Sequence, residues 1–418
     1  MSILISAAPR LFAVFLGLAV PSLFFGRVVL AVMLGLALIC LLLSEDRFDH
    51  WRRGLKHLHT PLGYLILLTF AGWLPNVLVS LDPLRSIEAA VRTFLIISVL
   101  TGVWSAFDTK KKLLDITLKA LVVMSVLTTV LAILSMTVWP ELFWVLKLRG
   151  VQSMHVYSEM KPFAALSALL IPILFWTIFR FPPKWSLLGG LAIVGFLAVV
   201  WLSYNRAAMA GIIGAVLCLS ATFASQRRSL KRAVPIIVIA VVLVVVTVIW
   251  LKTTRSVIRG PHDDWMMPIW LIDFQRQAMW LYTWELIKQS PWIGWGINTI
   301  NLVPGTGAIM PGTAALQMIP GHPHNWLIEV WAETGVVGLL PLMMAIGVSF
   351  FRVLQRYRTH TAASALVLIA VYAGYWASGL FNFSFWSVWW QCSFFLIVAI
   401  SLSLDNKEET DPPPQSIP

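Results

Sequence analysis

Residues 234–251, VPIIVIAVVLVVVTVIWL, run for eighteen positions without one charged side chain. At about 1.5 Å per residue, a helix of that length nearly covers the roughly 30 Å of bilayer hydrocarbon. Comparable runs lie on both sides of it, at 8–25, 27–44, 62–80, 86–105, 113–136, 163–180, 185–204, 206–224, 325–351, 363–382 and 385–404. The 418-residue chain is 59% hydrophobic and only 12% charged, with a mean hydropathy of +0.82. Soluble domains carry roughly 25% charged residues, and no single globular core could hide this much apolar surface. The expected fold class is an all-α polytopic membrane protein with about twelve transmembrane helices. Residues 1–404 are read as one transmembrane domain, and the polar, Pro-rich stretch 405–418 as a disordered tail. The first run follows Arg10 in the manner of a signal peptide. A second apolar run begins almost at once, with no small-x-small cleavage site, so the first reads as a retained helix.

The net charge of +12 does not point to nucleic acid, because of where the basic residues fall. Arg47, Arg52, Arg53 and Lys56, then Lys110 to Lys112, Arg180 and Lys184, Arg227 to Arg232, and Arg352 to Arg358 crowd alternate loops. Cationic loops stay cytoplasmic. The expectation is a multi-pass protein of a bacterial inner membrane with both termini cytoplasmic. Its partners would be membrane lipids and no nucleic acid. The three cysteines, Cys40, Cys218 and Cys392, lie inside apolar runs and show neither metal-ligand spacing nor a disulfide framework.

With that topology two outer loops are long, roughly 137–162 and 252–323. The larger falls between spans 9 and 10, and a connection of that length is often functional. Residues 270–289 read as an amphipathic helix that either lies in the membrane interface or packs on the bundle. Any chemistry therefore belongs to these loops and the adjoining helix ends.

Arg206, in Ser203-Tyr204-Asn205-Arg206, sits between two spans joined by almost no loop, at a helix start. There it can form an anion site or merely snorkel as an anchor; basic residues are disfavoured on that side, which favours the first. Arg276 precedes Trp280 by four residues, so on a helix the two share a face and can stack. Arg149 is a third candidate cation, with Arg255 and Arg259 weaker. His322-Pro323-His324-Asn325 falls where the large loop turns into a span. His324, Trp331, Gly335 and Gly338 recur near multiples of 3.6, and are expected to line one helix face. The glycines would admit a close neighbour there. A lone histidine is more often structural than catalytic; the cations beside this one bring the two readings level. Glu329 and Glu333 fall on other faces, as functional or structural buried acids. His262, Asp263 and Asp264 lack a second metal-binding motif, and no Walker loop, dinucleotide glycine pattern or serine elbow is present.

His324-Asn325 followed by Gly335-x-x-Gly338 resembles the signature of the O-antigen ligase family. That family belongs to a wider group with Wzy-type polymerases and O-oligosaccharyltransferases. Arg276-x-x-x-Trp280 with Pro291-Trp-Ile-Gly-Trp-Gly296 resembles the segment preceding that histidine, and Ser203 to Arg206 resembles its other arginine motif. The resemblance implies a GT-C-like membrane glycosyltransferase. It would move O-antigen from undecaprenyl pyrophosphate to lipid A–core oligosaccharide on the periplasmic side, inverting and without a metal cofactor. Implied catalytic residues are His324, Arg206 and Arg276. Implied contacts to pyrophosphate or glycan are Arg206, Arg276, Arg149, His322, Trp280 and Asn325, with Gly335 and Gly338 packing helices. Three rivals stand beside it. A Wzy-type polymerase tends to carry paired Arg-x10-Gly stretches, and none of these arginines reaches a glycine at that spacing. A protein O-oligosaccharyltransferase is often longer. A transporter or flippase would show internal symmetry and paired broken helices.

Overall fold

The computed structural model describes residues 2–148, 150, 156–225, 230–254, 267–360 and 362–404. Arg149, Arg255, Arg259, His262, Asp263, Asp264 and the tail 405–418 lie outside the described residues. Among those described, the regular structure is helical apart from one isolated bridge between Ile309 and Gln317. Hydrocarbon offers a backbone N–H or C=O no partner, so a spanning segment must satisfy itself internally.

The helices are α1 (Ser2–Ala19), α2 (Arg27–Leu43), α3 (Arg47–Lys56), α4 (Pro61–Val79), α5 (Pro83–Thr109), α6 (Lys111–Thr137), α7 (Pro140–Leu146) and α8 (Val156–Glu159). They continue with α9 (Lys161–Arg180), α10 (Pro183–Leu202), α11 (Arg206–Ala224), α12 (Leu230–Thr254), α13 (Phe274–Gln289), α14 (Trp326–His360), α15 (Ala363–Gly379) and α16 (Val388–Leu402). Eight of them are long and apolar enough to cross a membrane, and α2 with the sharply bent α3 makes a ninth candidate. Shorter apolar helices α1, α15 and α16 account for the remaining expected runs. The first run ends earlier than expected: α1 stops at Ala19, and Pro21–Phe25 is a 3-10 turn. Proline at position 21 has no N–H to continue the helix and fixes the break.

One extended core binds α1, α6, α9, α10 and α16, and a smaller tryptophan-rich one, around Trp73, Trp326 and Trp386, joins α4, α14 and the turn that precedes α16. The outward faces stay apolar: Leu78, Phe179, Val194 and Val241 are exposed. That is the pattern of helices solvated by lipid. Lys110 pairs with Asp46 at 2.6 Å, Arg180 approaches Asp115 at 3.9 Å, and Arg358 donates to Ser225 at 3.2 Å. These contacts gather the basic turns at one end of the bundle. The starts of α9, α11 and α14 lie at the other.

One expected alignment is overturned. His324 is not on a helix; it has a left-handed backbone (φ 56°), and Asn325 caps α14 by accepting from the N–H groups of Leu327 and Ile328. Gly335 interrupts α14 with φ 61° and ψ −172°. His324, Trp331, Gly335 and Gly338 therefore share no common face, and Trp331 packs edge-on against Trp284 of α13 instead. The break has a cause. The backbone of Pro291–Gly296 docks into it, with Val336 and Val337 donating to the carbonyls of Pro291 and Trp292, and Trp295 and Gly296 donating to Ala332 and Glu333. A Cβ on Gly335 would stand 2.2 Å from the Trp292 carbonyl carbon, so only glycine allows the contact. Gly338 does serve close packing, against Trp73 of α4.

Candidate active site

Three helix starts meet at the end of the bundle away from the basic turns. Asn205 caps α11, its Oδ1 accepting from Ala207 and Ala208, while its Nδ2 donates to the carbonyl of Lys161 at 2.5 Å. One side chain thus fixes the start of α11 against the start of α9. Asp273 caps α13 in the same way, accepting from the Arg276 N–H at 3.0 Å. Its other oxygen faces two guanidiniums: Arg206 Nη2 at 2.8 Å and Arg276 Nη1 at 3.9 Å. Burial by itself would raise this carboxyl, but the Arg276 and Arg206 charges and the Arg276 N–H hold it at about 2. Asp273 stays ionised and holds the two arginines, 70 positions apart in sequence, against one oxygen.

The histidines are placed by a different strut. Trp280, one turn beyond Arg276, donates its indole N–H to the carbonyl of Pro323 at 2.9 Å, which ties α13 to the turn carrying His322 and His324. Both imidazoles converge on one acceptor, His322 Nε2 and His324 Nδ1 each lying 2.9 Å from the carbonyl of Asn382. A carbonyl oxygen only accepts, so those nitrogens carry the protons. The neutral His324 ring is left with its lone pair on Nε2, and His322 with its lone pair on Nδ1. Burial, then the neighbouring His324 and Arg276, push His322 down to about 3. His324 is lowered by burial and by Arg276, so it is neutral at pH 7. The charges of Asp273 and Lys161 also reach it.

Arg206, Arg276, His322, His324 and Trp280 are therefore brought together, and Asn325 caps the helix behind them. Trp280 acts through its N–H and its buried ring, packed with Ile272, Phe274 and Met310. The segment expected as an amphipathic helix is α13, and its inner face (Phe274, Gln277, Trp280, Thr283, Ile287) is buried against the protein. Sequence reading passed over Asp273, Lys161, Asn205 and Asn382. Asp273 was legible as an N-cap at the head of a helical pattern; nothing local marks a carbonyl such as Asn382.

Glu329 and Glu333 form the frame. Glu329 accepts from Ser384 Oγ at 2.5 Å and the Phe385 N–H at 2.8 Å. Glu333 accepts from the N–H groups of Asn298 and Ile300 and from the Trp386 indole. Asn76 of α4 completes the joint, binding the carbonyls of Ile293 and Glu333 and the Ile297 N–H. Both acids are spent on structure. Among the described residues no group of three or more His, Cys, Asp and Glu side chains stands where it could hold a metal ion.

The fold and this end of it define a polytopic all-α membrane protein that gathers cations and imidazoles at one rim. Residues 191–343, somewhat over a third of the chain, match the family described as O-antigen ligase. A Rickettsia conorii protein that bears the provisional name polysaccharide ligase is 20% identical over 120 residues, 28% of this chain and 28% of its own length. A protein of the same provisional name from Rickettsia felis is also 20% identical over 120 residues, 28% and 29% of the two chains. The matched part thus spans less than a third of either relative.

Proposed function

We propose that this protein is an O-antigen ligase: it transfers O-antigen from undecaprenyl pyrophosphate to a sugar hydroxyl of lipid A–core oligosaccharide at the periplasmic face, as a metal-independent, inverting membrane glycosyltransferase. The observation that carries the reading is the pairing of two guanidiniums on Asp273 with a neutral imidazole beside them. His324 Nε2 takes the proton of the acceptor hydroxyl as its oxygen bonds to the donor's anomeric carbon. The bond from that carbon to the pyrophosphate oxygen breaks on the opposite face, and the anomeric configuration inverts. Charge develops on the leaving pyrophosphate, where Arg206 and Arg276 stabilise it, with Lys161 nearby. Asp273 positions both arginines without cancelling them, being one negative charge among three positive ones. His322 shares the Asn382 carbonyl with His324 and sets the orientation of that ring.

His324→Ala should abolish transfer of lipid-linked glycan to lipid A–core in a reconstituted assay, while protein abundance in the membrane is unchanged. Normal capping of lipopolysaccharide by that variant would sink the role given to His324.

A further inference from the structure

Between α2 and α5 the bundle does not close. The two helices run in the same direction from the site end, with α16 behind the gap. This leaves a groove of about 450 Å³ at the mouth and a space of about 230 Å³ below, sharing the walls Leu34 and Cys392. Two arginines border it. Arg27, the exposed first residue of α2, lies over the Trp389 ring at 5.7 Å. Arg92, nine residues into α5, meets Glu88 at 2.6 Å and donates to the Trp386 carbonyl at 3.2 Å. Its Nε is buried and has no hydrogen-bond partner among the described residues. Beneath Arg92 the lower space is walled by apolar side chains, among them Leu38, Leu95 and Ile96. From Arg92 to Val103 that wall runs about 16 Å along the helix.

Both cations sit at the site end of the bundle, and Arg92 lies well inside an apolar helix, where a charged group is costly and calls for polar partners. Guanidiniums bordering an apolar slot match an anionic lipid headgroup above an alkyl chain. The slot and the imidazoles are also tied to one short segment between α15 and α16. Asn382 holds both histidines and Trp386 holds Arg92, and four residues span at most about 14 Å.

We propose that this groove docks the phosphorylated glycolipid acceptor, with its phosphate at Arg27 and Arg92, an acyl chain between α2 and α5, and its sugar directed at His324. The proposal rests on the ligase reading above. The donor pyrophosphate already has its own cations at Arg206 and Arg276, so the second lipid needs a separate seat. Two seats let both lipids be held at once.

The test uses the full-length protein in phosphatidylcholine nanodiscs and native mass spectrometry. The probes are lipid A–core, the same lipid stripped of its phosphates, and undecaprenyl phosphate. Phosphorylated lipid A–core should bind, weaken on the order of tenfold in Arg27→Ala and further in Arg27→Glu, and recover in Arg27→Lys. Leu34→Trp, which fills the slot, should also weaken it, while Gly347→Ala, outside the groove's walls, should bind like the parent. Equal binding of the stripped lipid, or indifference to every Arg27 variant, overturns the proposal. Displacement of the glycolipid by undecaprenyl phosphate overturns it too, assigning the groove to the donor. The expected binding pattern in a protein that transfers no glycan upholds the groove and fails the ligase reading alone.

Discussion

At the scale of single residues, the chemistry turns on which nitrogen of each imidazole holds the proton. The Asn382 carbonyl decides this for both rings, because it can take hydrogen bonds and give none. Burial and the nearby Arg276 then keep His324 neutral below its ordinary value. A base whose folded value is depressed retains its lone pair as the pH falls, so the acid limb of kcat/KM against pH should lie below 6.5. Stability has the opposite consequence. The unfolded chain takes up protons near pH 6.5 while the buried rings do not, so Tm in detergent should fall as pH drops from 6.5 toward 5. For His322 the loss continues toward its folded value of about 3. His322→Gln should flatten this dependence; an unchanged slope would show that the buried rings do not set it.

At the scale of elements, the joint between α14 and the Pro291–Gly296 segment is the part of the fold that holds the large loop in place. Breaking a helix frees donors and acceptors that must find other partners. Here Val336, Val337, Ala332 and Glu333 find them in the docked segment, and Gly294 (φ 79°) supplies the matching turn. Gly335→Ala forces a side chain into a left-handed backbone and into the Trp292 carbonyl. It should cost on the order of 2 kcal/mol or more and lower the apparent Tm by size-exclusion thermal challenge. Gly347→Ala, on the same helix with open space around its Cβ position, should leave Tm unchanged. Equal behaviour of the two variants would mean that the joint does not determine stability.

At the scale of the whole molecule, alternation of the helices puts the cationic turns at one end and the candidate site at the other. If basic turns mark the cytoplasmic side, the site faces the periplasm. A membrane-impermeant maleimide applied to intact spheroplasts should label Ala314→Cys, exposed in the large loop, and spare Thr359→Cys, exposed near the end of α14. The reverse pattern would turn the site inward and remove its access to periplasmic acceptors. Arg206 and Arg276 meet at the starts of α11 and α13, whereas Arg27 and Arg92 belong to α2 and α5, so the two arginine sets stand on different helices.

The amino-acid sequence determined the class of fold, because eighteen uncharged residues in a bilayer can satisfy their backbones only as helix, and the runs fall one per span. It also marked Arg206 as a cation at a helix start, Arg276 by its helical spacing to Trp280, and His324 as an imidazole where the large loop enters a span. It could not give the register of His324 with Gly335. A 3.6-residue period presumes an unbroken helix, and the break exists only because Pro291–Gly296 docks there. Asp273 and Asn382 likewise gained their roles from partners far along the chain: a carboxylate becomes a bridge only when a second arginine arrives from another helix, and a backbone carbonyl has no side chain to announce it. Local pattern records what each segment must bury; which distant groups then share a hydrogen bond is settled by packing alone.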